Sequence, residues 1–143
     1  MKHLVMSKPQ CVLYSAAMVM DIDVDYLVGI LGHDGLGVEN GEMVGIHMQE
    51  IQTAYYLMFG ELLSSVELIP VSQRKVDLPH YIVCKMAPSK RLTYMIAGHR
   101  AILLGENKRG AYHAVAYDGE TIFDPVGKKY PLDDFALQEA WVL

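Results

Sequence analysis

An α+β fold, with N-terminal helices packed on a largely antiparallel sheet, is predicted by the order of patterns along the chain. Helix-period apolar segments fill the first part and β-type segments the second, which is the order of α+β architectures and not of alternating βαβ units. Apolar residues make up 52% of the chain and charged residues 20%, so a packed core is expected and disorder is not. The 143 residues suit one domain, 1–143.

The first helix is predicted over residues 8–20, where Val12, Leu13, Ala16, Ala17 and Met20 recur at helical spacing and would face the core. Ser7 and Gln10 have the spacing of a capping box, with Ser7 as N-cap. Pro9 is tolerable in a first turn, because its missing donor would be unpaired there anyway. Cys11 therefore falls at the start of a buried helix. A second helix is predicted over 23–31, capped by Asp23 and stopped by Gly32. The stretch "GHDGLGVENGE" carries four glycines and reads as a loop. A third helix, 43–59, ends at Gly60.

The pattern then changes. "VELIPV", "HYIVCKM", "RAILLG", "YHAVAYD" and "ETIFDP" read as strands, with a short helix between 89 and 96. Asp133-Asp134 reads as capping or solvating a terminal segment, and the ending "EAWVL" is apolar enough to pack and not fray.

"YHAVAYDGETIFDP" is the most informative segment. Asp-Gly signals a two-residue hairpin turn. With Asp118-Gly119 as the loop, His113 opposes Asp124, and directly opposed side chains stand about 5 Å apart at Cβ. With Gly119-Glu120 as the loop, Asp124 opposes Val115 instead. His113 and Asp124 still share a face, because both registers preserve parity. The plain reading is an exposed polar cross-strand pair of little energetic value.

Cys11 changes the weight of that pair. A thiolate is favoured at a helix N-terminus by unpaired amides and the helix dipole. A nearby imidazole lowers its pKa further and stores a proton for a leaving group. Asp124 would orient the imidazole, and the backbone amide of Cys11 points the right way to donate to an oxyanion. The plain alternative for Cys11 is a small buried hydrophobe. Cys84, in "YIVCKM", reads as that. Gln10 either closes the capping box or donates its side-chain amide to an oxyanion hole.

Several function classes are disfavoured. The net charge is −5 and no basic run exceeds a pair such as Lys128-Lys129, so nucleic-acid binding is not expected. No apolar run reaches membrane-spanning length, and "MKHLVMSKPQC" lacks the long apolar stretch of a secretory signal. A cytoplasmic protein with reduced thiols is expected. The two cysteines form no Cys-x-x-Cys, and no histidine pair has metal-ligand spacing, so neither a metal nor another cofactor is expected. "GHDGLG" has no Walker lysine after it. His33-Asp34 reads as solvated. His47 would cap, pack or touch substrate, and His80 and His99 carry no spacing signal.

"QCVLYSAAM" followed by "YHAVAYDGETIFDPVGKKYPLDDF" resembles the papain-like cysteine peptidases, nearest to the branch that removes double-glycine leaders from bacteriocin precursors. The shared features are a Cys opening a helix with Ala16, Ala17 and Met18 behind it, a strand opening His113-Ala114-Val115, and Asp124-Pro125 on the returning strand. The resemblance implies a papain-like fold, Cys11 as nucleophile, His113 as general base and acid, and Asp124 as orienting residue. The chain departs from the family upstream of the Cys, where Val5 stands in place of the oxyanion-hole Gln and Gln10 is the nearest Gln. Val12 replaces the glycine usual after the Cys.

The expected function is a cysteine hydrolase acting on a peptide or isopeptide bond through a Cys-His-Asp triad and a thioester. Its substrate would be a peptide or protein; the oligomeric state is not readable. Three alternatives stay open. One is a glutamine deamidase or acyl transferase with the same triad. The second is a catalytically silent binding module. The third is a structural domain in which Cys11 is core.

Overall fold

The computed structural model describes residues 1–67, 88–106 and 112–143. The elements are α1 (Cys11–Met20), α2 (Val24–Leu31), β1 (Val38–Glu39), β2 (Glu42–Met43), α3 (Met48–Phe59), β3 (Ser64–Glu67), α4 (Pro88–Ile96), β4 (Ala101–Glu106), β5 (Tyr112–Tyr117), β6 (Thr121–Phe123), β7 (Lys129–Pro131) and β8 (Ala136–Val142), with a 3-10 turn at Leu132–Asp134. Three helices come first and, among the described residues, an antiparallel six-stranded sheet follows in the order β3-β8-β4-β5-β6-β7, with α4 between β3 and β4 in the chain. The α+β class is what the sequence predicted.

Two apolar clusters lie on the two faces of this sheet. On one, Ile102, Leu104, Ala114, Ala116 and Phe123 pack with α1, α2 and α3. On the other, Leu103, Val115, Tyr117, Ile122 and Ala140 pack with Leu92 and Ile96 of α4. This alternation is the period-2 signature of a strand buried on both faces. α1 sits in the middle of the first cluster. Leu13, Ala16, Ala17, Met18 and Val19 are all buried, so the helix is covered nearly all round and not along one stripe. Its small Ala16 and Ala17 let the helix lie close to β5.

α1 starts later than predicted. Its N-cap is Gln10, in a non-helical conformation without a side-chain cap, and the Ser7–Gln10 capping box does not form. The reason is Pro9: the residue before a proline is pushed out of the helical region, so Ser7 and Lys8 cannot begin the helix. The Gln10 N–H bonds back to the Lys8 carbonyl at 2.8 Å instead. α3 also starts later, at Met48 and not at 43. Met43 belongs instead to a small hairpin, β1 with β2, whose Asn40 (φ 53°) and Gly41 (φ 78°) are both left-handed, and 44–47 lead from it into the helix. Asn-Gly is the same type I′ signal as Asp-Gly, here set inside a glycine-rich loop. α2 matches the prediction, with Asp23 before it and Gly32 after it in the left-handed region; Asp23 makes no side-chain cap.

β3 begins two residues before the predicted "VELIPV", whose remainder lies outside the described residues. "HYIVCKM", with His80 and Cys84, also lies outside them. β8 was not predicted as a strand, yet it lies between β3 and β4, so "EAWVL" packs by joining the sheet. Its register against β4 shifts between Leu104 and Gly105, leaving Gln138 as an extra residue. Glycine is required there. A Cβ on Gly105 would run into the Ala136 carbonyl and stand 2.9 Å from the Phe135 ring. Gly105 is also the residue directly opposite His113 on β5.

Candidate functional site

The β5–β6 hairpin has the second of the two registers weighed from sequence. Ala116 opposes Phe123 and Tyr117 opposes Ile122, which makes Gly119-Glu120 the loop. Gly119 takes a positive φ of 103°. The Asp118 carboxylate accepts from the Glu120 and Thr121 amides at 2.9 and 2.7 Å, closing the turn. Parity survives this choice. His113 and Asp124 share a face, and His113 Nε2 lies 2.8 Å from Asp124 Oδ1. They are no exposed rim pair: both residues are buried, at 8% and 5% exposure.

β6 pairs only with the last two residues of β5, so the start of β5 keeps a free backbone edge on that side. The N-terminus of α1 fills it. The Cys11 thiol sits beside the His113 side chain and the Ala114 amide, and both favour its ionised form. Because Nε2 of His113 faces Asp124, Nδ1 is the ring nitrogen left for the thiol. Cys11 is partly exposed, which a nucleophile needs. The buried structural cysteine remote from His113 is not what the fold contains.

The electrostatics follow from these contacts. Burial pushes the Cys11 thiol up; the His113 hydrogen bond, the Ala114 amide, the His113 charge and the Val12 amide outweigh it, and the net shift is down. The Asp124 hydrogen bond, joined by that of Cys11 and opposed by burial, raises His113 to about 9. Burial raises the Asp124 carboxyl, but hydrogen bonds from His113, Tyr130 and the Val126 amide bring it below its ordinary range. A thiol pushed down beside an imidazole pushed up is the condition for a thiolate–imidazolium pair.

Asp124 is held more firmly than the sequence suggested. Tyr130 donates its hydroxyl to Asp124 Oδ2 at 2.6 Å, and the Val126 amide donates to Oδ1 at 3.0 Å. The Asp124 backbone is clasped too: its N–H bonds the Lys128 carbonyl at 2.8 Å, and its carbonyl takes the Gly127 N–H at 2.9 Å. His3 Nε2 lies 2.7 Å from that same carbonyl, and the Met6 amide bonds the Pro125 carbonyl at 2.8 Å. Neither Tyr130 nor His3 was singled out from sequence. Tyr130 was findable. It pairs with Ile122, which shares a face with Asp124 two residues on. In Tyr130→Phe, Asp124 keeps its position in the turn but loses a donor to its ionised oxygen. We expect a loss of roughly 1.5–3 kcal/mol in stability by urea denaturation, together with slower thiol alkylation.

The Gln10 amide is committed away from Cys11. It donates to the Asp34 carbonyl at 2.9 Å and ties the start of α1 to the glycine-rich loop. The Asp34 carboxylate in turn accepts from the Leu36 amide at 2.9 Å. His33 is not simply solvated: its Nε2 sits 2.5 Å from Glu50 Oε1, and its Nδ1 accepts the Gly35 amide at 3.2 Å. Glu50 also reaches back to the His47 amide at 2.8 Å, so His47 is the N-cap of α3. These contacts fasten the loop; they bring none of its residues to the triad. His99 only closes the turn after α4, through its amide.

A cleft of about 180 Å³ opens between the starts of α1 and α3 and the sheet, lined among others by Val12, His47, Leu104, Tyr112, Glu139 and Trp141. Val12 follows Cys11 and Tyr112 precedes His113. Among the described residues no group of three or more His, Cys, Asp or Glu side chains could hold a metal ion, and no helix is long and apolar enough to cross a membrane. Comparisons with protein-family models, with curated proteins and with solved structures found no match.

Proposed function

We propose that this chain is a papain-like cysteine hydrolase that cleaves a peptide or isopeptide bond of a peptide or protein substrate. The observation that carries the reading is one imidazole, His113, hydrogen-bonded to a buried carboxylate, Asp124, and set beside the thiol of a helix-opening Cys11, each of the two lifting its basicity. In this reading the Cys11 thiolate attacks the substrate carbonyl carbon. The first amides of α1 have no partners within the helix and stabilise the oxyanion. The His113 imidazolium gives its proton to the departing amine as the C–N bond breaks, leaving a thioester. Water, deprotonated by His113, then attacks that thioester and releases the acid and the thiol. A cytoplasmic setting belongs to the same reading, because a reducing compartment keeps such a thiol free.

The relatives of this chemistry differ in the acyl acceptor and leaving group. Release of ammonia from a glutamine side chain marks a deamidase, and transfer to an amine marks an acyl transferase. A silent binding module is favoured by one observation, the commitment of the Gln10 amide to Asp34 instead of to the nucleophile.

The test is a burst experiment with p-nitrophenyl acetate. One equivalent of nitrophenolate per protein, with an acetyl group on Cys11 by mass spectrometry and neither in Cys11→Ala, supports the reading. No burst and no acetyl-Cys11 overturns it in favour of the binding module. Assay of ammonia against new amine ends on a peptide pool then separates deamidase from peptidase.

A further inference from the structure

The cleft is lined by the chain neighbours of Cys11 and His113, Val12 and Tyr112, and has a chemistry of its own. Its inner wall is apolar, with Val12 of α1 and Leu104 of β4. Two aromatic side chains, Tyr112 and Trp141, flank it, and Tyr112 is 62% exposed. Its charged lining group is the carboxylate of Glu139. This carboxylate does not swing freely, because Trp141 Nε1 donates to Glu139 Oε1. β8 alternation turns Glu139 and Trp141 to the helix face of the sheet, away from Ala140 and Leu137 of the other cluster. Glu67 stands opposite Glu139 across the β3–β8 pair, so the neighbouring rim carries a second negative charge.

Tyr112 lies electrically between the nucleophile and this carboxylate. Burial raises its phenol, and the charges of Glu139 and of Cys11 both add to that. The cleft and the thiol thus sit within one field.

A fixed carboxylate between aromatic walls over an apolar floor is complementary to a cation on an apolar stem. The volume is small beside the ~300–1,000 Å³ of sites for drug-sized ligands, which suits one extended side chain. On the proposed reading of Cys11 as nucleophile, we infer that this cleft is a specificity subsite in which Glu139, Tyr112 and Trp141 select a substrate residue with a primary amine or guanidinium, Lys or Arg, next to the bond attacked. The ammonium rests on Glu139 and its methylene stem on Leu104 and Val12, flanked by the aromatic rings. An acidic residue at that position is repelled.

Charged thiosulfonates test this without a known substrate. The thiolate attacks the sulfenyl sulfur, a disulfide forms, and methanesulfinate leaves, so the rate reads the field at Cys11. The rates of 2-(trimethylammonio)ethyl and 2-sulfonatoethyl methanethiosulfonate are measured on the parent and on Glu139→Gln, which keeps an acceptor for Trp141. Their ratio is referred to that on 2-mercaptoethanol. We expect the cationic-to-anionic ratio to fall roughly three- to tenfold in Glu139→Gln at low salt, with the difference shrinking as salt is added. Fast labelling of the parent by both reagents with a ratio unchanged in Glu139→Gln overturns the subsite alone. Labelling of the parent by both at the rate of a free thiol overturns the nucleophile, and the subsite with it.

Discussion

In His113→Ala, iodoacetamide labelling of Cys11 near pH 6 falls roughly 10- to 100-fold. The size follows from the thiolate fraction. A free thiol titrates near ~8.5, so only a small part is ionised at such a pH, whereas a thiol paired with imidazolium is largely ionised. The lower intrinsic nucleophilicity of a low-pKa thiolate takes back part of the difference, which is why the expected loss is not larger. The sign with pH is fixed as well. In the parent, labelling holds across the range where Cys11 is ionised and His113 still protonated, and it drops as acid reprotonates the thiol. In His113→Ala both effects of the imidazole that lower the thiol, its hydrogen bonding and its charge, are gone while burial still raises it, so labelling moves to higher pH. Mass spectrometry of the labelled residue across pH 4 to 9 checks both the rate and its shift. Labelling that is as fast in the variant as in the parent removes His113 from the site.

Asp124→Ala is expected to lose the most stability. It strips the buried His113 of its carboxylate, the Tyr130 hydroxyl of its acceptor and the Val126 amide of its partner in one step. Removing one member of a buried pair costs about 3–5 kcal/mol, or roughly 10–20 °C in melting temperature for a chain of this size. The deficit depends on pH in a defined direction. His113 is raised to about 9, so the stability it contributes is full below its unfolded value of ~6.5 and is lost as pH rises through about 9. Asp124 is lowered, so its contribution is present above the unfolded value of ~3.9 and is lost as pH falls through the lower folded value. The difference between parent and Asp124→Ala should therefore be widest from mildly acidic to neutral pH and shrink towards pH 10, as followed by thermal melts. Asp124→Asn separates charge from shape. It keeps the fold and lowers the labelling rate, because the amide still fits the turn but no longer stabilises an imidazolium. A variant as reactive as the parent removes Asp124 from the triad.

The meeting of Cys11, His113 and Asp124 was legible because it depends on two robust local rules. A turn fixes parity even when it does not fix register, so His113 and Asp124 reached one face whichever loop formed. A proline just before a helix places its start within a residue or two, so Cys11 reached the N-terminus even though the predicted cap at Ser7 failed. What stayed hidden depended on irregularity. β8 was missed because Gln138 is a bulge: Leu137 and Ala140 both face the α4 side, three apart, and strict alternation is broken. Gln10 was misjudged because its partner is a backbone carbonyl in a distant loop, which no sequence pattern announces. The contact of His3 with the Asp124 carbonyl is similar: the two residues lie 121 positions apart.

The place of β8 between β3 and β4 bears on when the cleft near Cys11 is completed during synthesis. As the chain leaves the ribosome, β4, β5 and β6 can pair among themselves, but the far edge of β4 stays open until residues 136–142 have emerged. Non-local strand pairing of this kind is slow and comes late in folding. Glu139 and Trp141, which wall the cleft, arrive on that same strand. A nascent chain therefore carries Cys11 before the cleft is walled, and the arrival of β8 joins β3 to β4 and closes that wall at the same time.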